Sequence, residues 1–133
     1  MKTSTLLICL VFAVAPQVKA QDIIGDFTRS PNEHIINQID QPFVVRSVVG
    51  MITAQRDSPL AGVLFELQGP GTDRKIRRCK TDEHGHFKLG GVSEGTYRFK
   101  ATLKSFQSEM GTIIVSKKAL KSNIITITMP VGV

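Results

Sequence analysis

Strict alternation of apolar and polar residues is clearest from Thr96 to Lys104, where Tyr97, Phe99, Ala101 and Leu103 interleave with Thr96, Arg98, Lys100, Thr102 and Lys104. A period of two places one set in a core and the other in water, the mark of a half-buried strand. Val63, Phe65 and Leu67 alternate with Leu64, Glu66 and Gln68 in the same way, as do Ile125, Ile127 and Met129 with Ile124, Thr126 and Thr128. Further strands are expected at Phe43 to Ala54, Lys75 to Thr81, His86 to Leu89 and Gly111 to Ser116, about seven in all. Between them stand Asp57-Ser58-Pro59, Gly69-Pro70-Gly71, Asp82 to Gly85 and Ser93-Glu94-Gly95, residues that fix φ or tolerate positive φ. Strands spaced about every ten residues, with no sustained helical period, predict an all-β sandwich from residue 43 onward. Lys117 to Ser122 is expected as one helical turn or an exposed loop.

The chain before Phe43 has a different texture. Residues 21 to 42 mix Asp, Asn, Gln and Pro31 with isolated apolar residues, and read as a linker or docking segment. Residues 1 to 20 carry Lys2, an apolar run from Leu6 to Val14, and Val18-Lys19-Ala20 before Gln21. This predicts a signal peptide cleaved after Ala20, and a secreted or periplasmic protein. The apolar run is too short to span a bilayer by itself, and no later segment approaches 18 uninterrupted apolar residues, so no membrane span is expected in the mature chain.

At 133 residues the chain has room for one domain, and 41% hydrophobic residues suffice for a core. Removal of Lys2 and Lys19 lowers the formal charge from +6 to +4. The mature chain keeps one cysteine, Cys79, so no intramolecular disulfide is expected and stability must come from packing. Cys79 reads as a half-buried strand residue, with a reactive thiol or an intermolecular bridge as the alternative.

Four segments occur in an order that resembles the carboxypeptidase regulatory-like domain. They are Val49-Gly50-Met51-Ile52, Ser58-Pro59-Leu60-Ala61-Gly62-Val63, Thr81-Asp82-Glu83-His84-Gly85-His86-Phe87, and Gly91-Val92-Ser93-Glu94-Gly95-Thr96-Tyr97. The resemblance spans about residues 44 to 130. It implies a seven-stranded Greek-key β-sandwich of the prealbumin or transthyretin-like type over residues 43–133. It does not imply catalysis, since in zinc carboxypeptidases this module accompanies a separate catalytic domain. Within the hairpin, Gly85 is expected in the left-handed region, with Asp82 bonded to the turn amides and Phe87 pointing inward.

Catalytic patterns find little support. His-x-x-Glu is absent, and His84 and His86, though able to share one side of a strand, have no third metal ligand at a suggestive spacing. The C-terminus reads Met129-Pro130-Val131-Gly132-Val133, where hydroxyisourate hydrolases of the transthyretin fold carry Tyr-Arg-Gly-Ser. Isopeptide formation of the pilin type needs a first-strand lysine, and between Phe43 and Ala54 Arg46 is the one basic residue. Gly-x-Ser-x-Gly is absent, and Gly69-Pro70-Gly71 is not followed by Gly-Lys-Ser/Thr. Neither a catalytic residue nor a cofactor is expected.

One surface feature stands out: Arg74, Lys75, Arg77, Arg78 and Lys80 place five basic residues in seven positions. On an edge strand such charges can block pairing with other chains, or they can attract an anionic partner. Nucleic acid fits poorly, because no aromatic residues interleave with the basic run. The expected function is an exported, non-catalytic module that binds a protein or polysaccharide partner or serves in envelope or extracellular assembly. A small secreted enzyme with an unrecognised site is the alternative.

Overall fold

The computed structural model describes residues 27–31, 33–71 and 75–132. The expected signal peptide, its cleavage site and Arg74 lie outside the described residues. Among the described residues no helix is long and apolar enough to cross a membrane.

Nine strands are described: β1 (Ile36–Gln38), β2 (Phe43–Val45), β3 (Val48–Thr53), β4 (Leu64–Gln68), β5 (Ile76–Lys80), β6 (His86–Leu89), β7 (Gly95–Thr102), β8 (Ser108–Val115) and β9 (Ile125–Thr128). The larger sheet has the order β1-β8-β7-β4-β5, with β2 also on β8; the smaller has the order β6-β3-β9. The expected count of seven is corrected to nine for two reasons. The strand expected over Phe43 to Ala54 divides at Arg46-Ser47, where the chain leaves the larger sheet and enters the smaller. Ile36–Gln38, in the segment read as a linker or docking segment, pairs in parallel with β8. Lys117 to Ser122 is a loop of turns, held by Arg46 donating twice to the Ala119 carbonyl at 3.2 and 3.0 Å.

The two sheets share one core, and the predicted alternation identifies its members. Phe65, Leu67, Tyr97, Phe99 and Ala101 meet Val48, Ile52, Phe87, Ile125 and Ile127. Phe65 stacks on Phe87 across the gap between the sheets, with ring centroids 4.2 Å apart, and lies 5.7 Å from Phe99. Such contacts add to the roughly 2–3 kcal/mol that burial of each phenylalanine supplies. Gly50 lies where β9 passes closest, and a Cβ there would collide with the Ile125 carbonyl and the Phe87 ring.

The opposite face of the larger sheet departs from the expected pattern. Glu66, Lys100 and Thr102 belong to the polar set of their strands, yet their exposures are 0%, 3% and 5%. Two of them contact the segment before β1, through Thr28 and Glu33. Period two therefore sorted the residues by face correctly, while the assumption that this face meets water fails.

Candidate functional site

β5 is an edge strand of the larger sheet and β6 an edge strand of the smaller, and they come together along one side of the molecule. The turn joining them follows from the Asp82-to-Gly85 sequence. Gly85 adopts φ +80°, and a Cβ there would stand 2.5 Å from the Ile52 carbonyl. Asp82 Oδ1 accepts the His84 and His86 amides at 2.8 and 2.9 Å. These bonds hold the Asp82 carboxyl below its usual range, with the His86 amide contributing most.

The basic run divides between two environments. Lys75, Arg77 and Lys80 are exposed, as are His86 and Lys88 of β6; Lys75 and Arg77 line one cleft, and Lys80, His86 and Lys88 line another. Arg77 Nη2 donates to the Gly90 carbonyl at 2.7 Å, which turns its guanidinium toward the loop after β6. Beside it a cleft of about 320 Å³ is lined by Lys75, Arg77, Pro70, Val92, Ser93 and Tyr97. The Tyr97 hydroxyl donates to the Ser93 carbonyl at 2.7 Å, which satisfies the one polar atom of an otherwise buried ring.

Arg78 differs from its neighbours. It lies with Lys80 on the outward face of the larger sheet, opposite to Arg77, and there its Nε meets Glu66 Oε2 at 2.8 Å and its side chain is 27% exposed. Cys79, between Arg78 and Lys80 and paired with Phe65 on the core-facing side, is a half-buried free thiol. Burial pushes its pKa up, with a partial offset from the Lys88 amide and the Arg77 charge, so the thiolate is disfavoured.

The Arg78–Glu66 pair belongs to a buried polar network that sequence reasoning missed. Glu66 is paired across the sheet with Arg78 on one side and Lys100 on the other. The Thr28 amide donates to Glu66 Oε1 at 2.9 Å and the Thr28 hydroxyl to Oε2 at 2.8 Å. Lys100 Nζ donates to the Thr28 carbonyl at 2.9 Å and to Glu33 Oε1 at 3.0 Å. The Ser108 hydroxyl completes it, donating to Glu33 Oε2 at 2.6 Å. Burial raises the Glu33 pKa, but the Ser108 hydroxyl, Lys100 and the Ser30 amide outweigh it and hold the carboxyl below its usual range. Ser108 is itself fully buried and committed to Glu33, so its hydroxyl does not face solvent as a nucleophile would. The available signal was the opposite charge at adjacent strand positions 66 and 100; nothing local marks Glu33 as their partner.

A second buried carboxyl, Glu109, shares the core-facing side of β8 with Ile113 and accepts Asn37 Nδ2 at 2.6 Å. Here burial dominates and Asn37 offsets it in part, so the pKa is raised. Among the described residues no group of three or more His, Cys, Asp or Glu side chains is placed to hold a metal ion.

The class these observations define is an all-β, sandwich-like protein of two sheets. No family model matches the chain, and no curated protein matches it. Among solved structures it is similar to 3-chlorocatechol 1,2-dioxygenase from Rhodococcus opacus 1CP, with 10% sequence identity and a TM-score of 0.47 over 74% of this chain and 68% of that one. A likeness of that size carries no argument about activity.

Proposed function

We infer that the chain is an exported, non-catalytic binding module whose β5/β6 side takes an anionic protein or polysaccharide partner, in the manner of an envelope or extracellular assembly component. The observation that carries this reading is that the neighbouring edges of β5 and β6 expose basic side chains in two clefts, one lined by Lys75 and Arg77 and the other by Lys80 and Lys88. Cations grouped in this way raise the local concentration of an anionic partner and speed its encounter. The order of the Pro59-Leu60-Ala61-Gly62-Val63, Thr81-to-Phe87 and Gly95-Thr96-Tyr97 motifs supports a relationship to the carboxypeptidase regulatory-like domain, and with it a Greek-key sandwich that carries no active site of its own.

A second reading is favoured by the position of β5 at a sheet edge: the charges would keep the edge from pairing with other chains. A double substitution at Arg77 and Lys80 separates the two. Arg78 is unsuitable, because its loss would strand buried Glu66. If the side recruits an anionic partner, Arg77→Gln with Lys80→Gln weakens cosedimentation with acidic polysaccharide or an acidic protein, and wild-type binding fades as salt rises. Unchanged binding with increased light scattering would overturn recruitment and leave edge protection.

A further inference from the structure

The outer face of the smaller sheet adjoins the basic side and differs from it in chemistry. The pairing places Val49 beside Lys88, and Met51 between His86 and Thr126. These residues point away from the core, because their neighbours Val48, Gly50, Ile52, Phe87 and Ile125 point into it. Val49 and Met51 are half-buried, and Ile124, at the entrance to β9, is 51% exposed. An open cleft of about 470 Å³ runs over this face, lined by Val49, Ile124, Lys80, Asp82, His86 and Lys88. Two lysines thus stand against one carboxylate, and that carboxylate already accepts the His84 and His86 amides.

We propose that this face docks an acidic polypeptide segment that carries aliphatic side chains between its carboxylates. The inference rests on the reading of the β5/β6 side as a site for an anionic partner, and identifies that partner as protein. Lys80 and Lys88 supply charge complementarity along the rim, while Val49, Met51 and Ile124 gain by transfer from water onto apolar side chains. A polyuronate would meet the lysines but bring no aliphatic groups to the stripe, and apart from the His86 imidazole this face exposes no ring, with no Phe, Tyr or Trp as a platform for a sugar. A second copy of the chain would set Lys80 and Lys88 against their own kind.

The test uses the whole chain and three labelled probes: an alternating Leu–Glu peptide, a Glu-only peptide of equal length, and polygalacturonate. Binding is read by fluorescence anisotropy at low and high salt. The Leu–Glu peptide should bind about tenfold tighter than the Glu-only peptide, a difference of roughly 1.4 kcal/mol. Val49→Thr with Ile124→Gln should remove that advantage while leaving the weaker Glu-only binding in place. Lys80→Gln with Lys88→Gln should weaken both peptides, and denaturant midpoints for each variant establish that it is folded. Equal affinity for all three probes, or an unaffected Val49/Ile124 variant, overturns the docking inference and leaves the anionic-partner reading standing. Absence of salt-sensitive binding to every probe overturns both.

Discussion

Glu33 and Glu109 are two buried carboxyls whose environments shift them in opposite directions, and the difference predicts opposite responses to acid. Glu33 is held below its ordinary value of 4.5 by Ser108, Lys100 and the Ser30 amide, despite its burial. Its stabilising effect is therefore complete above pH 4.5 and is lost as pH falls through the lower folded value. Glu109 is pushed above 4.5 by burial, so ionising it costs stability at neutral pH, and the cost is relieved as pH falls. Glu33→Gln should cost roughly 3 kcal/mol near pH 7, because it leaves the Lys100 ammonium buried beside a neutral amide, and its cost should shrink in acid. Glu109→Gln should stabilise near pH 7 and lose that advantage toward pH 4. Urea unfolding of both variants across this range checks the signs; parallel pH profiles would mean that the two carboxyls do not differ as described.

At the scale of elements, the β5–β6 turn depends on both a backbone conformation and a close approach, and two glycines separate these contributions. Gly62 and Gly85 have φ of +76° and +80°, but a Cβ on Gly62 meets nothing within 4 Å, whereas one on Gly85 stands 2.5 Å from the Ile52 carbonyl. Gly62→Ala should cost about 1 kcal/mol from the left-handed backbone alone. Gly85→Ala should cost distinctly more, since it must also displace the strand that accepts the turn. Denaturant midpoints of the two variants measure the difference, and equal losses would show that β3 yields without cost. This turn was legible in the sequence because its determinants are local: Asp82 reaches amides two and four residues away. Segment 27–35 was not, because its role depends on partners such as Glu66 and Ser108, 38 and 75 residues distant from Thr28 and Glu33.

For the molecule as a whole, the stack formed by Phe87, Phe65 and Phe99 ties the smaller sheet to the larger. Phe65→Ala should lower stability by roughly 3–5 kcal/mol, and both sheets should still unfold in one transition. Matched transitions from amide signals of β3 and β7 would verify this; separate transitions would show that the sheets are held independently.

Alternation in the sequence by itself determined which residues share a face of each long strand, and so named Phe65, Tyr97 and Phe99 as core, because side-chain direction along a strand is a local consequence of backbone geometry. It also marked the basic run on β5 as a surface feature. Which faces meet water was decided only by the tertiary structure. The segment before β1 crosses the polar face of the larger sheet and turns Glu66 and Lys100 into buried, bonded charges, while the outer face of the smaller sheet keeps Ile124 in solvent. The division of the basic run has the same origin: Arg78 is drawn to Glu66 across the sheet, while Lys80 on the same face and Arg77 on the other stay exposed beside the β6 edge. Coverage of a face depends on contacts between residues far apart in the chain, and a periodic pattern records only what each residue's own backbone imposes.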